Sequence, residues 1–275
     1  MKTQPGDLSV TALYTSQVWA WGGLSHAHLL TNPDAQQVFD AANGVLAAAR
    51  TPDHQLAPLH QSLLHRHVMI DHLLSTSGYR QVIELAAGLS RRGAATTSDA
   101  QVHYTELDLP HVVELKRELL RRTDEGRSVL ARPGLRLVEG DAKTTELEPF
   151  VRRGEPVFVI AEGLMMYLTA DARRRLFAKV RRLAAVAGEV RLVFDLVPTI
   201  EDTEPDIVEQ MLKTATGGRG FERDAHTRDD IVAALQGAGF DSTEVVASSE
   251  VACEWGLPDT DGQTLVVLFV AHASA

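Results

Sequence analysis

Glu84 closes a short apolar run, Val82 and Ile83, and Ala86, Ala87 and Gly88 follow it within the stretch RQVIELAAGLSRRG. A buried strand that ends on an acid and then on a loop nearly free of side chains has the makings of a ligand site. In open parallel sheets ligands sit outside the carboxyl ends of the strands, and a loop without side chains lets a ligand approach the backbone. Asp108 ends the next apolar run, in TELD, about twenty residues beyond the loop, the separation expected of an acid that binds a ribose diol. Glu106 competes for that role, because strand residues two apart share a face. The pair reads as a nucleoside site, with Ala86 to Gly88 against the ligand and Asp108 on its ribose. A tight strand-to-helix turn with no ligand is the alternative.

A nicotinamide or flavin site calls for G-x-G-x-x-G, with a pyrophosphate over a helix N-terminus. Here the loop is A-A-G-L-S-R-R-G, with Ala86 at the first glycine position and the spacing broken. S-adenosylmethionine (SAM) carries no phosphate, so a looser loop suffices for it.

The elements that must position these residues follow from periodicity. Up to about Thr76 the chain reads as helical, with Asp34 as an N-cap in NPDAQQVFDAANGVLAAAR. After Gly78, short apolar runs alternate with amphipathic stretches. QVIEL, VHYTELD, LRLVEGD, PVFVIAEG and EVRLVFDL read as strands, and STEVVAS and GQTLVVLFVAHA as two more. HVVELKRELLRR, after Pro110, is a helix. DARRRLFAKVRRLAAVA is a second, ending near Gly188, and TRDDIVAALQGAGF a third, capped by Thr227. Strand alternating with helix predicts an α/β fold with a mostly parallel, seven-stranded sheet covered on both faces. The last two strands, with no clear helix between them, are expected to be antiparallel. The organisation this implies is a helical cap over 1–76 and a Rossmann-like core over 77–275, with a polar substrate loop at 198–226.

Composition sets outer bounds. The 275 residues carry a formal net charge of −10, which argues against a nucleic-acid surface. Hydrophobic residues at 44% and charged residues at 23% suit a soluble globular chain. Cys253, the one cysteine, rules out an internal disulfide and a multi-cysteine metal site, and a reducing, cytoplasmic setting fits. MKTQPGDLSV has no signal-peptide core, and no run is long enough to span a membrane. Among the eleven histidines, His65, His67 and His72 lie close together, with His54 and His60 upstream. His65 and His67 do not share a helix face and HExxH is absent, so no metal site is expected. His226, beside the polar loop, is a candidate base.

Several ordered pieces carry a more specific signal: SVTALYTSQVW, HRHVMIDHLL, VIELAAGLSRRG, YTELDLPHVVELK, VEGDA and IAEGLMMYL. Together the chain resembles the leucine carboxyl methyltransferase family, in particular its bacterial branch similar to the tetracenomycin polyketide synthesis O-methyltransferase. The resemblance runs from about Val10 to the C-terminus and is weakest after Thr199. It implies a class I SAM-dependent methyltransferase fold. Carried over by position, it implies that Arg66 grips the SAM carboxylate and that Glu84, Ala86 and Gly88 belong to the cofactor strand and loop. It puts Asp108 on the ribose, Asp141 and Ala142 beside the adenine, and Glu162 near the methionine ammonium and the reaction centre. Family members usually have glycine where this chain has Ala86, whose methyl would narrow the approach to the methionine end.

Methyl transfer from a sulfonium is an in-line displacement that chiefly needs alignment and dryness. A carboxylate acceptor is already ionised at neutral pH, whereas a phenol, with a pKa near 10, would benefit from a base. No Ser-His-Asp or paired-carboxylate machine is visible, which suits a carboxylate. Tyr167 and Glu162 are the candidates at the chemistry. Tyr14, Trp19, Arg91, Arg219 and Arg223 are candidates around the acceptor, with Trp21 joining Tyr14 and Trp19 in an aromatic lid. The expected activity is methyl ester formation on a small, polyketide-type carboxylic acid of secondary metabolism. The competing readings are carboxyl methylation of a peptide or protein C-terminus, phenol O-methylation, and SAM binding without turnover. A nicotinamide oxidoreductase is disfavoured by the broken glycine pattern. No nucleic acid or membrane is expected as a partner.

Overall fold

Near-continuous apolar runs are what strands buried on both faces require, and the central strands obey. The computed structural model describes residues 9–49, 55–201, 206–215, 218, 220–225 and 227–275. In it β1 (Gln81–Leu85) and β4 (Val157–Ala161) are buried at every position. With β2 (His103–Asp108), β3 (Leu135–Glu139), β5 (Glu189–Asp195), β6 (Ser242–Ala247) and β7 (Val267–Ser274) they form a seven-stranded sheet, ordered β3-β2-β1-β4-β5-β7-β6. The first five strands are mutually parallel. β7 runs antiparallel to β6, as the lack of a clear helix between them led one to expect, and it is antiparallel to β5 as well. The order turns at β1 and β4: from β1 the chain builds outward through β2 and β3, then returns to β4 on the other side. That is the switch point at which such sheets bind ligands.

Side chains alternate across the sheet with period two. Ile83, Val157 and Val159 face the core under α7 (Ala170–Arg182), α8 (Ala184–Ala187) and α10 (Arg228–Gly237). Val82, Phe158 and Ile160 face Met69, Ile70 and Leu74 of α3 (Leu59–Ser77). α1 (Ser9–Trp21) and α2 (Pro33–Ala49) pack on each other, and α4 (Arg92–Thr96), α5 (Pro110–Arg121) and α6 (Asp124–Leu130) complete the half around β2 and β3. Pro110 opens α5, and Thr227 caps α10 in a reciprocal capping box with Asp230. α11 (Ser248–Val251) is a single turn after β6.

Four expectations need correction. Asp34 does not cap α2: the helix begins at Pro33, and the Asn32 carboxamide accepts from the Ala35 N–H at 2.8 Å. Asp34 instead sits in the first turn, where an acid suits the helix dipole. The stretch 171–187 breaks into α7 and α8 before Gly188. The polar segment 198–226 is not all loop, since α9 (Asp206–Ala215) lies within it. The last strand starts at Val267, and Gln263 pairs separately with Leu56. No helix among the described residues is long and apolar enough to cross a membrane.

Candidate active site

A cavity of about 1030 Å³ opens at the carboxyl ends of β1, β2 and β4, roofed by the N-terminal helices and α9. Glu84, Ala86, Gly88, Asp108, Asp141, Ala142 and Glu162 all line it, as do Arg66, Tyr167, Tyr14, Trp19 and Arg223. Residues spread over more than 200 positions of sequence thus converge on one chamber. Arg219, His54 and His226 lie outside the described residues.

The loop after β1 turns on two left-handed residues, Ala86 (φ 52°) and Gly88 (φ 54°). Asp108 holds it: the Gly88 N–H donates to Oδ2 at 2.6 Å and the Leu109 N–H to Oδ1 at 2.7 Å. Burial raises the Asp108 pKa against these bonds. Two of the roughly four acceptor sites of a carboxylate remain for a ligand diol. Glu106 does not line the cavity; it is buried against Lys116, whose ammonium also donates to the Ser90 carbonyl at 2.6 Å. Asp141 meets the chamber while its Oδ1 accepts from the Lys143 N–H at 2.8 Å, closing a turn.

Behind the loop lies a buried chain of charge. Arg66 donates from Nε to Glu162 at 3.1 Å and from Nη1 to Asp195 at 3.0 Å. Its Nη2 makes no hydrogen bond with a described residue. Asp195 also accepts from the Gly163 N–H at 2.6 Å. Glu162 takes two more donors, His67 Nδ1 at 3.0 Å and Arg92 Nη2 at 2.8 Å. These cationic and donor neighbours hold its carboxyl well below the usual range despite burial. Arg92 reaches on to Glu84 and Asp71, and Tyr104 donates to Glu84 at 2.7 Å. Both Glu84 oxygens are therefore engaged, which answers why the strand ends on an acid: it anchors Arg92. Three guanidinium groups (Arg66, Arg91, Arg92) face four carboxylates (Asp71, Glu84, Glu162, Asp195), an excess of one negative charge beside the cavity.

His67 is fully buried, and desolvation with Arg92 nearby lowers its pKa to about 4, so it is neutral at pH 7. Its ring stacks on Trp19 with centroids 3.9 Å apart. His65 bonds instead to Thr264 and the Pro258 carbonyl, and His72 stacks on Trp255. Tyr167 sits beside Arg66 and Asp195, and burial pushes its phenol up to about 12. The Tyr167 hydroxyl makes no hydrogen bond with a described residue, whereas that of Tyr14 donates to Asn43 at 2.9 Å.

Two acceptor-side expectations fail. Arg91 does not line the chamber; it pairs with Asp71 and donates to Ser25 Oγ at 3.2 Å. Burial and Arg92 lower its pKa to about 10. Trp21 points away from the lid, 48% exposed and edge-on to His60. Conversely, sequence reasoning missed Arg92 and Asp195, and weighed His67 only as a metal ligand rather than as a partner of Glu162. Asp195 had a usable signal, since it ends an apolar run as Glu84 and Asp108 do. His67 and Asp71, four apart on α3, could have marked a helix face turned to a buried cation.

This strand order, with an antiparallel seventh strand set between the fifth and sixth and the crevice at β1 and β4, is the class I methyltransferase fold. A Thermobifida fusca YX protein described as a methyltransferase superposes with TM-score 0.58, at 14% identity over 98% of this chain and 97% of its own. A Nostoc punctiforme PCC 73102 protein described as an O-methyltransferase gives TM-score 0.54, at 14% identity over 96% of this chain and 72% of its own. At such identities the likeness is one of fold. Residues 25–181 match the leucine carboxyl methyltransferase family, and the chain belongs to it. A Mycobacterium avium (strain 104) protein named for SAM-dependent methyl transfer is 31% identical over 205 residues, 70% of this chain and 64% of that relative. A Mycobacterium tuberculosis (strain H37Rv) protein named likewise is 34% identical over 157 residues, 54% of this chain and 49% of that relative. The chain thus spans between about half and just under two thirds of the length of these relatives.

Proposed function

We propose that this protein binds SAM and transfers its methyl group to the carboxylate of a small, polyketide-type metabolite, forming a methyl ester. The observation that carries the reading is the meeting, in one chamber, of a backbone loop clamped by Asp108 with the Arg66 guanidinium and the Tyr167 hydroxyl, of which Arg66 Nη2 and Tyr167 Oη make no hydrogen bond with a described residue.

The donor set fits the cofactor group by group. Asp108 keeps acceptor capacity for a ribose diol. Arg66 Nη2 is available to an α-carboxylate, and charge-assisted bonds of that kind are strong. Glu162 Oε1 accepts one bond, from Arg66, and has room for an ammonium donor. Asp141 and Ala142 supply the adenine end. The single negative excess of the buried charges complements a ligand that carries sulfonium, ammonium and one carboxylate.

Held by Arg66, Asp108, Glu162, Asp141 and Ala142, SAM would supply an electrophilic methyl group, its sulfonium leaving as a neutral thioether when the acceptor oxygen takes that carbon. The protein's share is alignment and the exclusion of water. No proton moves when the acceptor is an ionised carboxylate. Tyr167, with its pKa pushed up to about 12, stays protonated and serves as a hydrogen-bond donor to the acceptor oxygen. It is a poor base for a phenol, which favours the carboxylate. A reducing, cytoplasmic setting belongs to the same reading.

Calorimetry of SAM with the intact chain, Asp108→Ala and Arg66→Ala tests the cofactor site. Binding by the intact chain, weakened at least about ten-fold in each folded variant, is expected from the loss of one charge-assisted contact. Absence of binding by the intact chain would overturn the proposal.

A further inference from the structure

Resting on that reading, we infer that the acceptor is a monocarboxylic acid with an extended apolar body, its carboxylate met by the hydroxyls of Ser62 and Tyr167 and its body laid along α2 and α9. The chamber, at about 1030 Å³, stands at the top of the range usual for one small ligand. It has room for an acceptor beside a cofactor.

Its polarity is divided. The carboxylates and Arg66 crowd the strand ends. The opposite wall is built from apolar stripes at helical spacing: Val38, Ala42 and Leu46 on α2, Leu63 on α3, and Met211 and Leu212 on α9. Val38, Ala42, Leu46, Leu63 and Met211 are only half-buried. Apolar side chains left open to a chamber gain from covering by an apolar ligand.

The cations described on the wall are already paired. Among the described residues, Arg66 meets Glu162 and Asp195, Lys143 meets Asp141, and Arg223 meets Glu209. A second anionic group on the acceptor would find, among the described residues, no cation without a carboxylate beside it. The hydroxyls are mostly spent too. Thr15 donates to backbone carbonyls of α1, Thr199 to those of Arg223 and Ala225, and Tyr14 to Asn43. A peptide laid on this wall would bury amide groups without partners, which is costly.

Ser62 and Tyr167 differ. Both line the chamber, and neither hydroxyl makes a hydrogen bond with a described residue. Ser62 lies one helical turn before Arg66 on the same face of α3. Tyr167 feels the charge of Arg66. Helix spacing and charge thus put both donors in the neighbourhood of the guanidinium. A carboxylate has two oxygens to receive them.

The test is calorimetric binding of straight-chain monocarboxylic acids, from about four to twelve carbons, with and without S-adenosylhomocysteine. Kd should fall about three- to four-fold per added methylene until the chamber is full. Ala42→Phe should move the optimum to shorter acids. Ser62→Ala should weaken every acid about ten-fold while leaving SAM affinity unchanged. Turnover assays run alongside should place the Ser62→Ala effect in KM. A Kd independent of chain length would overturn the inference, as would tighter binding of a dicarboxylic acid or a peptide than of the matched monoacid. Because binding is read without turnover, a chain that transfers no methyl still tests it. Failure of the cofactor site shows separately, as absence of SAM binding.

Discussion

At the level of single residues, Ala86, like His26, is a position where sequence and backbone disagree. Its φ of 52° lies in the left-handed region, which costs an L-residue with a Cβ about 1–2 kcal/mol. Glycine, usual there in the family the chain resembles, escapes that cost at the expense of a freer unfolded chain. Ala86→Gly should therefore raise stability by up to about 1 kcal/mol and tighten SAM binding by removing a methyl from the chamber wall. Thermal melts and calorimetry check both, and a lower Tm would refute the strain argument. Asp108 was legible because an acid closing a strand about twenty residues after a bare loop has few other uses. Asp34 was misread because Asn32, two residues earlier, offers the same capping chemistry with better placement.

Between elements, the decisive connector is Arg92. It opens the short α4 and joins β1 through Glu84, α3 through Asp71 and the His67 carbonyl, and the end of β4 through Glu162. Removing one partner of a buried charge cluster leaves the others uncompensated. Arg92→Met should cost about 3–5 kcal/mol in urea unfolding. Arg127→Met, which loses an exposed pair with Asp124 and an exposed hydrogen bond to the Arg121 carbonyl, should cost no more than about 1–2 kcal/mol. Equal losses in the two variants would show that the buried cluster contributes no more than a surface pair. Strands and long helices could be read from periodicity because burial on one or both faces imposes it. α9 was not read, because it lies inside a long polar stretch and its apolar stripe faces a chamber rather than the core. Arg92 was passed over because a charged residue after a loop is ordinarily solvated.

For the molecule as a whole, the buried charges tie stability to pH. Folded His67 accepts a proton only near pH 4, against 6.5 for the ordinary residue. As pH falls below 6.5 the unfolded chain takes up that proton and the folded chain does not, so stability is lost between about pH 6.5 and pH 4. The full contribution is about 3 kcal/mol. Glu162, held low by its cations, acts in the same direction at lower pH still. His67→Gln, which keeps a donor for Glu162, should flatten this slope. Melts at pH 7.5 and pH 5 should find the variant's deficit at the higher pH shrinking or reversing at the lower, and a constant difference would refute it. The sheet has a second molecule-wide consequence, in time. β7 follows β6 in the chain but lies between β5 and β6. During synthesis β6 emerges with no neighbour to pair with, and β5 keeps a bare, apolar edge until residue 274 has left the ribosome. Such an edge is a template for other chains. Closure of the sheet is thus deferred until β7 has been made, and the nascent chain needs shielding until then.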